Sequence, residues 1–391
     1  MICSCANGTP PQDKVEITEL SQNTETEAKI VVGAEKLDEY LPLIDGKSVG
    51  IVGNQSSMIR STHLVDSLLK LRVDIEKVFC PEHGFRGDAD AGEQIDSSTD
   101  QKTGLPLISL YGKNKKPSAD QLKGIEVLLF DIQDVGVRFY TYISTLHYVM
   151  EACAENNITL IILDRPNPNG HYVDGPVLEL DFKSFVGMHP VPIVHGMTIG
   201  EYGSMINGQG WLTNQAQCKL VVITCDNYTH DSPYSLPIPP SPNLRSDLSI
   251  QLYPSLCLLE GTEVSCGRGT DGPFERYGHP DFIESEFFFI PVSGYGAKSP
   301  KFEGEKCFGV NLRDSEFERA TKFDFSYLVD ADNRLNGKLW EGKKKIFNLL
   351  AGNDELWRQV KQETSEQDIR KSWEPELGDY KEMRKKYMLY D

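Results

Sequence analysis

Short apolar runs alternate with stretches of helical periodicity along the first part of the chain. The runs that predict buried strands are Ser48–Gly53, Ile75–Cys80, Leu105–Leu110, Val127–Ile132, Thr159–Leu163 and Lys219–Ile223. Apolar residues recur at helical spacing in Thr62–Leu71, Ile143–Cys153 and Ile199–Ile206. Strands that are apolar throughout are typical of a parallel sheet covered on both faces. The alternation therefore predicts an α/β fold with a doubly wound, mostly parallel sheet.

A proline-rich segment, Leu-Pro-Ile-Pro-Pro-Ser-Pro-Asn at residues 236–243, ends this alternation. Prolines at this density break any regular element, so a domain boundary is predicted here. We expect a flexible polar arm over residues 1–30, a catalytic domain over 31–245 and a smaller C-terminal domain over 246–391. The last of these carries an aromatic run at residues 287–289 and a charged helical stretch from about residue 335.

The composition excludes several classes of protein. The chain has 391 residues, of which 39% are hydrophobic, and a net charge of −18. Such a chain can fill ordinary cores, and no apolar run approaches the roughly 20 residues that span a bilayer. A nucleic-acid partner is not expected because phosphate contacts need a basic surface. An anionic substrate would need a local cluster of arginines.

The cysteines give no sign of a metal or a disulfide framework, since the nine are scattered and no CxxC pair is present. No metal or cofactor is predicted. Residues 2–6, Ile-Cys-Ser-Cys-Ala, resemble the end of a bacterial lipoprotein signal, although its apolar segment is not in this chain. We expect an exported protein, periplasmic or lipid-anchored at Cys5 if an upstream signal exists. The alternative is a frayed terminus with two incidental cysteines.

Polar residues are dense where three of the predicted strands end. In an open parallel sheet, ligands bind beyond the carboxyl ends of the strands. The candidate residues there are Glu82, His83, Arg86, Glu93, Asp131, Gln133, Asp134, Arg138, Tyr140, Tyr142, Asp164 and Arg165. Aromatic rings stack on sugars, carboxylates and amides bind hydroxyls, and arginine binds a carboxylate, so this mixture suits an acidic carbohydrate. The loop after the first strand, Gly53–Ser57, lacks the glycine spacing of a nucleotide site.

Each candidate also has a structural interpretation. Glu82 can cap a helix or pair with Arg86, and Asp164 can pair with Arg165. The other aspartates can form turns, the tyrosines can pack in a core, and His83 can bind a metal, although no second histidine stands at metal spacing. The coincidence at three successive strand ends favours the functional interpretation.

Several blocks of sequence together resemble one family. They are Pro-Glu-His-Gly-Phe-Arg-Gly-Asp-Ala-Asp-Ala-Gly-Glu (81–93), Phe-Asp-Ile-Gln-Asp-Val-Gly-Val-Arg-Phe-Tyr-Thr-Tyr (130–142), Leu-Asp-Arg-Pro-Asn-Pro (163–168), Pro-Ser-Pro-Asn (240–243), and Glu-Gly-Thr with Gly-Arg-Gly-Thr (260–270). From about residue 45 onward the chain resembles the exo-acting peptidoglycan β-N-acetylmuramidases (NamZ), long catalogued as a domain of unknown function (DUF1343).

The resemblance implies a Rossmann-like N-terminal domain and a smaller α/β or α+β C-terminal domain that closes the cleft. It also implies that the substrate is a peptidoglycan fragment such as N-acetylmuramic acid (MurNAc) linked β-1,4 to N-acetylglucosamine (GlcNAc). The enzyme would release the MurNAc from the non-reducing end, with Glu82 as the catalytic glutamate. Asn243 and Arg268, in the later blocks, join the candidate substrate-binding residues.

A glycosidase needs a carboxylic acid that protonates the leaving oxygen, and Glu82 fits this role. Glu93 and Asp131 are candidate partners, with Asp134 a further anion. The second step remains open between a second carboxylate and the acetamido oxygen of the substrate itself. We expect Arg86, Arg138, Arg165 or Arg268 to receive the lactyl carboxylate of MurNAc. Residues 267–272 can form a lid or a plain surface turn.

Two other functions compete with this prediction. A metal-dependent hydrolase or deacetylase would use Glu82, His83 and the aspartates, and a chelator would inhibit it. A non-catalytic binding protein for cell-wall sugars would keep its affinity in Glu82→Gln and form no product.

Overall fold

The computed structural model describes residues 1, 28–82, 84–87, 98–282, 285–313 and 319–391. Its strands are β1 (Val49–Gly53), β2 (Met58–Ile59), β3 (Thr62–His63), β4 (Ile75–Cys80), β5 (Ser98–Thr99), β6 (Pro106–Ser109), β7 (Val127–Asp131), β8 (Thr159–Leu163), β9 (Lys219–Ile223), β10 (Arg276–His279), β11 (Phe288–Phe289) and β12 (Cys307–Asn311). Its α-helices are α1 (Leu37–Ile44), α2 (Leu64–Lys70), α3 (Ala119–Leu122), α4 (Tyr142–Asn156), α5 (Ile199–Gly208), α6 (Asp247–Leu256), α7 (Ser326–Arg334), α8 (Lys344–Ala351), α9 (Leu356–Lys361) and α10 (Glu366–Arg384). Short 3-10 turns lie at Gly33–Glu35, Leu180–Phe182, Thr213–Gln215, Cys257–Gly261 and Lys385–Tyr387.

The main sheet of the described chain has seven strands in the order β5-β6-β4-β1-β7-β8-β9. All neighbours in it are parallel except β5, which pairs antiparallel with β6 at one edge. The first strand lies in the middle, with β4 on one side and β7 on the other, so the chain winds outward in both directions. The predicted doubly wound α/β fold is confirmed.

The apolar runs form the strands because both faces of the sheet are covered. Side chains alternate between faces along a strand. Val52 and Leu128 belong to one buried cluster, whereas Ile51 and Leu129, the next residues along β1 and β7, belong to another. The strands predicted over residues 75–80, 159–163 and 219–223 have these bounds in the structure.

The C-terminal part of the chain forms a smaller unit beside the sheet. It contains the three-stranded antiparallel sheet β10-β12-β11 and the helices from α7 onward. Its large side chains, among them Phe323, Trp340 and Trp373, belong to the same buried cluster as Val52 of the main sheet. The two parts therefore share one hydrophobic core. Among the helices described, none has the length and apolar character needed to cross a membrane.

The C-terminal tail returns to the main sheet. Tyr390 donates a hydrogen bond of 2.6 Å from its hydroxyl to Oδ2 of Asp164, directly after β8. The amide of Leu389 donates to Oε1 of Glu201 in α5 at 2.8 Å. These contacts fix the last residues of the chain on the sheet that carries the candidate residues.

Candidate active site

A cavity of about 240 Å³ lies at the carboxyl edge of the main sheet, between the loops that follow its strands and the chain beyond residue 240. Its lining comprises Glu82, Tyr111, Phe139, Tyr140, Thr141, Tyr142, Phe185, Val186, Ser241, Asn243, Leu244, Tyr253, Cys257, Glu260, Arg268, Phe274 and Leu350. Five of the residues predicted from the sequence are in this set, namely Glu82, Tyr140, Tyr142, Asn243 and Arg268. The structure therefore brings together candidates from four separate sequence blocks.

Glu82 lies in the turn that follows β4, where the amide of Gly84 donates to the carbonyl of Pro81 at 3.2 Å. Its side chain is half-buried, and the hydroxyl of Tyr111 donates a hydrogen bond to its carboxylate. Burial, together with the negative charge of Glu82, raises the pKa of Tyr111 to about 12. The phenol thus stays protonated at neutral pH and orients the Glu82 carboxylate.

Aromatic rings form one wall of the cavity. Tyr140 and Tyr142 meet edge to face with centroids 4.9 Å apart, and Tyr253 and Phe274 do so at 5.0 Å. The hydroxyl of Tyr140 donates to the carbonyl of Pro240 at 2.8 Å. Burial, and then the charges nearby, raise the pKa of both Tyr140 and Tyr142, so both phenols are neutral. All four rings are largely buried, so this wall is apolar, as a sugar-stacking surface requires.

Arg268 and Glu260 form an ion pair in the cavity lining, with Nη1 of the arginine 2.7 Å from Oε1 of the glutamate. Nη2 of Arg268 donates to the carbonyl of Gly296 at 3.1 Å, and Nδ2 of Asn243 donates to the same carbonyl at 2.7 Å. Burial by itself lowers the pKa of Arg268, but the Glu260 carboxylate raises it above its usual value overall. The guanidinium therefore remains charged.

Arg138 does not line the cavity. The prediction that it binds substrate is wrong, because its side chain is fully buried elsewhere. The guanidinium is fully buried and donates to four carbonyls, those of Pro176 and Val191 at 2.8 Å each, Leu350 at 2.9 Å and Ala351 at 2.7 Å. Burial lowers its pKa to about 9. Arg138 joins the segment after β8 to the end of α8.

The other two strand-end arginines also lie outside the cavity lining, and both of these are held in ion pairs. Arg165 binds both oxygens of Asp131, at 2.6 and 2.9 Å, and both side chains are buried. Arg86 binds both oxygens of Asp100 at 2.9 Å and reaches Asp66 at 3.3 Å, and it holds the pKa of Asp100 well below its usual range. The structure therefore favours structural roles for Arg86, Arg165 and Asp131, because their charges are satisfied within the protein.

Three further candidates are buried, and their side chains form hydrogen bonds with backbone groups of neighbouring loops. Gln133 donates to the carbonyls of Asp134 and Pro166 at 2.8 and 2.7 Å, and Asp134 accepts from the amide of Gly136 at 2.7 Å. Asp164 accepts from the amide of Gly200, at the start of α5, at 2.8 Å, and burial raises its pKa to about 6. These residues shape the loops rather than line the cavity.

His83 and Glu93 lie outside the described residues, so their predicted roles remain predictions. In the described ranges, no group of three or more His, Cys, Asp or Glu side chains is arranged to hold a metal ion.

Tyr111 and Glu260 are among the polar residues of the cavity that the sequence analysis did not predict. Tyr111 directly follows a predicted strand, but its loop lacks the density of polar residues that marked the other strand ends. Glu260 lies within the Glu-Gly-Thr block, which was used for the resemblance without a role for its carboxylate.

Comparison with known proteins identifies the family of this chain. Residues 49–248 match the family model for the N-terminal part of exo-β-N-acetylmuramidase NamZ, and residues 251–390 match the model for its C-terminal part. The chain is 37% identical over 388 residues to the peptidoglycan β-N-acetylmuramidase NamZ of Bacillus subtilis (strain 168), an alignment that covers 94% of this chain and 93% of that protein.

Solved structures give the same result. A DUF1343 family protein from Bacteroides fragilis NCTC 9343 superposes with a TM-score of 0.85 at 42% identity, over 93% of this chain and 99% of that one. A second DUF1343 family protein from the same organism has a TM-score of 0.79 at 30% identity, with the same coverage of both chains. With both halves matched and its fold shared, the chain is a member of the exo-β-N-acetylmuramidase NamZ family.

Proposed function

We propose that this chain hydrolyses the β-1,4 bond of a terminal, non-reducing MurNAc in peptidoglycan fragments, with Glu82 as the general acid. The observation that carries the proposal is the position of Glu82, which faces a cavity lined by aromatic rings and a charged arginine. The Bacillus subtilis relative, a peptidoglycan β-N-acetylmuramidase, supports the substrate class. A cavity of about 240 Å³ is smaller than the roughly 300–1,000 Å³ of pockets that hold drug-sized ligands, which suits the binding of a single terminal sugar unit.

The general acid must deliver a proton to the oxygen of the leaving sugar as the bond to the anomeric carbon breaks. Glu82 is suited to this because it lies on a short turn at a sheet edge, and the hydroxyl of Tyr111 orients its carboxyl group. The aromatic side chains of the lining lower the polarity of the cavity, which strengthens the electrostatic effects of its polar groups. Tyr140 and Tyr142 belong to the aromatic lining against which a sugar can pack.

Arg268 is the arginine that we assign to the lactyl carboxylate of MurNAc. Of the four arginines predicted for this role, it lines the cavity, whereas Arg86, Arg138 and Arg165 are engaged elsewhere. A guanidinium has five N–H donors, so it can bind Glu260, the Gly296 carbonyl and a substrate carboxylate together. A protein with a net charge of −18 needs such a local cation to hold an acidic sugar.

The test is release of free MurNAc from the disaccharide MurNAc–GlcNAc by wild type and by Glu82→Gln, each with and without chelator. We expect a loss of about 10²–10⁴-fold in kcat for Glu82→Gln, with no effect of the chelator. Binding of MurNAc, measured by calorimetry, shows that the variant is folded and that its site is intact.

Three results would lead elsewhere. If Glu82→Gln is as active as wild type, another residue is the general acid. Inhibition by the chelator would favour the metal-dependent hydrolase, and binding without turnover by wild type would favour the non-catalytic sugar-binding protein.

We further propose that the protein acts in the periplasm in cell-wall recycling, because that compartment contains the fragments it would degrade. Lipidation at Cys5 is part of this proposal, although Cys5 lies outside the described residues. Mass spectrometry of Cys5→Ala, with Cys3→Ala as the matched control, tests it when the chain is expressed behind a lipoprotein leader. Loss of the lipid in Cys5→Ala alone would support the anchor, and an unmodified wild-type chain would contradict it.

A further inference from the structure

Two glutamates from distant parts of the chain line the cavity within the described residues. Glu82 follows β4, and Glu260 belongs to the 3-10 turn that follows α6. Among the contacts between described residues, Glu82 accepts a hydrogen bond from the neutral phenol of Tyr111, whereas Glu260 pairs with the charged Arg268. Most glycoside hydrolases use two carboxyl groups in one cleft, so two glutamates that line the same cavity are candidates for the pair.

The ion pair fixes a negative charge in the lining of the cavity. Oε1 of Glu260 lies 2.7 Å from Nη1 of Arg268, and the side chain of Glu260 is 28% exposed. The carboxylate is therefore held by the arginine and still reaches the cavity. Its other oxygen has Sγ of Cys257 as a weak contact at 3.7 Å.

The backbone that carries Glu260 is held from two sides. The ammonium group of Lys301 is largely buried and donates to four carbonyls around the turn, those of Leu259 at 3.0 Å, Glu260 at 3.2 Å, Thr262 at 2.7 Å and Val264 at 2.9 Å. On the other side, the turn packs so closely on α8 that a Cβ at Gly261 would lie 2.6 Å from Cα of Phe347. A carboxylate on so constrained a turn is preorganised, as electrostatic catalysis requires.

We propose that Glu260 is the second catalytic carboxylate, and that its negative charge stabilises the positive charge that develops at the anomeric carbon of the substrate. This inference rests on the proposed function. As the glycosidic bond breaks, its electron pair goes to the leaving oxygen, which takes the proton of Glu82. Water then bonds to the anomeric carbon and gives a proton to the Glu82 carboxylate, which restores the acid. Glu260 gains and loses no proton in this sequence.

The geometry assigns this role to Glu260 rather than to Asp131, one of the two partners predicted from the sequence. Both oxygens of Asp131 are bound by Arg165, and its side chain is fully buried outside the cavity lining. A carboxylate in that position cannot face a sugar. Glu93, the other predicted partner, lies outside the described residues.

Two substrates separate the roles of the two glutamates. One is MurNAc–GlcNAc, whose leaving sugar needs a proton, and the other is 4-nitrophenyl β-N-acetylmuramide, whose leaving group does not. We expect Glu82→Gln to be impaired on the disaccharide and to recover about 100-fold or more of that loss on the nitrophenyl substrate. We expect Glu260→Gln to lose about 10²–10³-fold in kcat on both substrates, with KM changed less than about threefold.

The conservative variant Glu260→Asp keeps the charge and serves as the matched control. We expect it to retain about tenfold more activity than Glu260→Gln on both substrates, since charge rather than shape is at issue. Calorimetric binding of MurNAc to each variant shows whether the cavity is intact.

Three outcomes would overturn the proposal. If Glu260→Gln changes KM alone, Glu260 merely positions Arg268 for the lactyl carboxylate. If Glu260→Gln recovers on the nitrophenyl substrate as Glu82→Gln does, the residue acts in proton transfer. If Glu82→Gln is impaired and Glu260→Gln is as active as wild type, the role of Glu260 fails and the proposed function stands. Absence of turnover by wild type on both substrates would instead overturn the proposed function itself, and this inference with it.

Discussion

Replacing Arg138 with methionine tests whether this buried guanidinium joins the two parts of the molecule. Hydrogen bonds to a charged group contribute roughly 1.5–3 kcal/mol each, so the four bonds to carbonyls amount to about 6–12 kcal/mol. Against this stands the burial of the charge, which lowers the pKa of Arg138 from its ordinary value to about 9 and costs about 5 kcal/mol. The difference predicts that Arg138→Met lowers the free energy of unfolding by about 4 kcal/mol.

The assay is urea unfolding at neutral pH, followed by tryptophan fluorescence. Arg138→Lys keeps a charge but offers three donors on a single nitrogen, so we expect about half of the loss. The matched control is Arg358→Met, because Arg358 pairs with Asp354 on the surface, its side chain is 47% exposed, and such a pair contributes at most about 1 kcal/mol. An Arg138→Met variant within about 1 kcal/mol of wild type would refute the reasoning, since the four carbonyls would then have found other donors.

Three further predictions concern Asp164, Tyr111 and Lys301. The pKa of Asp164 is raised to about 6 by burial, so its contribution to stability, about 3 kcal/mol, is present below about pH 4 and is lost as the pH rises through 6. In urea unfolding between pH 4 and 7, the free energy of unfolding should therefore fall less with rising pH in Asp164→Asn than in wild type. A difference in free energy between the two proteins that stays constant across this range would contradict the prediction. Tyr111→Phe should lower kcat about tenfold by freeing the Glu82 carboxyl group, with MurNAc affinity preserved in calorimetry; full activity would show that the hydroxyl does not orient Glu82. Lys301→Met should lower the free energy of unfolding by about 3 kcal/mol, because four buried carbonyls lose their donor, and a neutral result in the same urea assay would contradict this.

The main sheet could be predicted from the sequence because its strands are covered on both faces. A strand such as β8 is then a continuous apolar run with polar residues at each end, and the pattern shows where it begins and ends. Elements of the C-terminal part left no such pattern. Strand β11 has two residues, and α6 contains a proline at position 254 and follows the proline-rich segment, so local signals argue against a helix there.

The location of the site at the strand ends could be predicted from the sequence, but the residues that line it could not all be identified. The sequence placed carboxylates and arginines at the strand ends, yet it could not show which of them face the cavity. That depends on distant partners, such as the carbonyls of Leu350 and Ala351, more than 200 positions from Arg138. Glu260 was missed for the same reason, because its place in the same cavity as Glu82 arises from packing of the C-terminal part on the sheet.

The exo-muramidase activity is tested most directly by comparing two disaccharides that contain the same sugars in opposite order. Purified protein is incubated with MurNAc–GlcNAc and, separately, with GlcNAc–MurNAc, and free MurNAc is measured over time by chromatography and mass spectrometry. We expect release from the first disaccharide and none from the second, in which GlcNAc occupies the non-reducing end. Equal release from both, or release from the second alone, would contradict the assignment of the cavity to a terminal MurNAc.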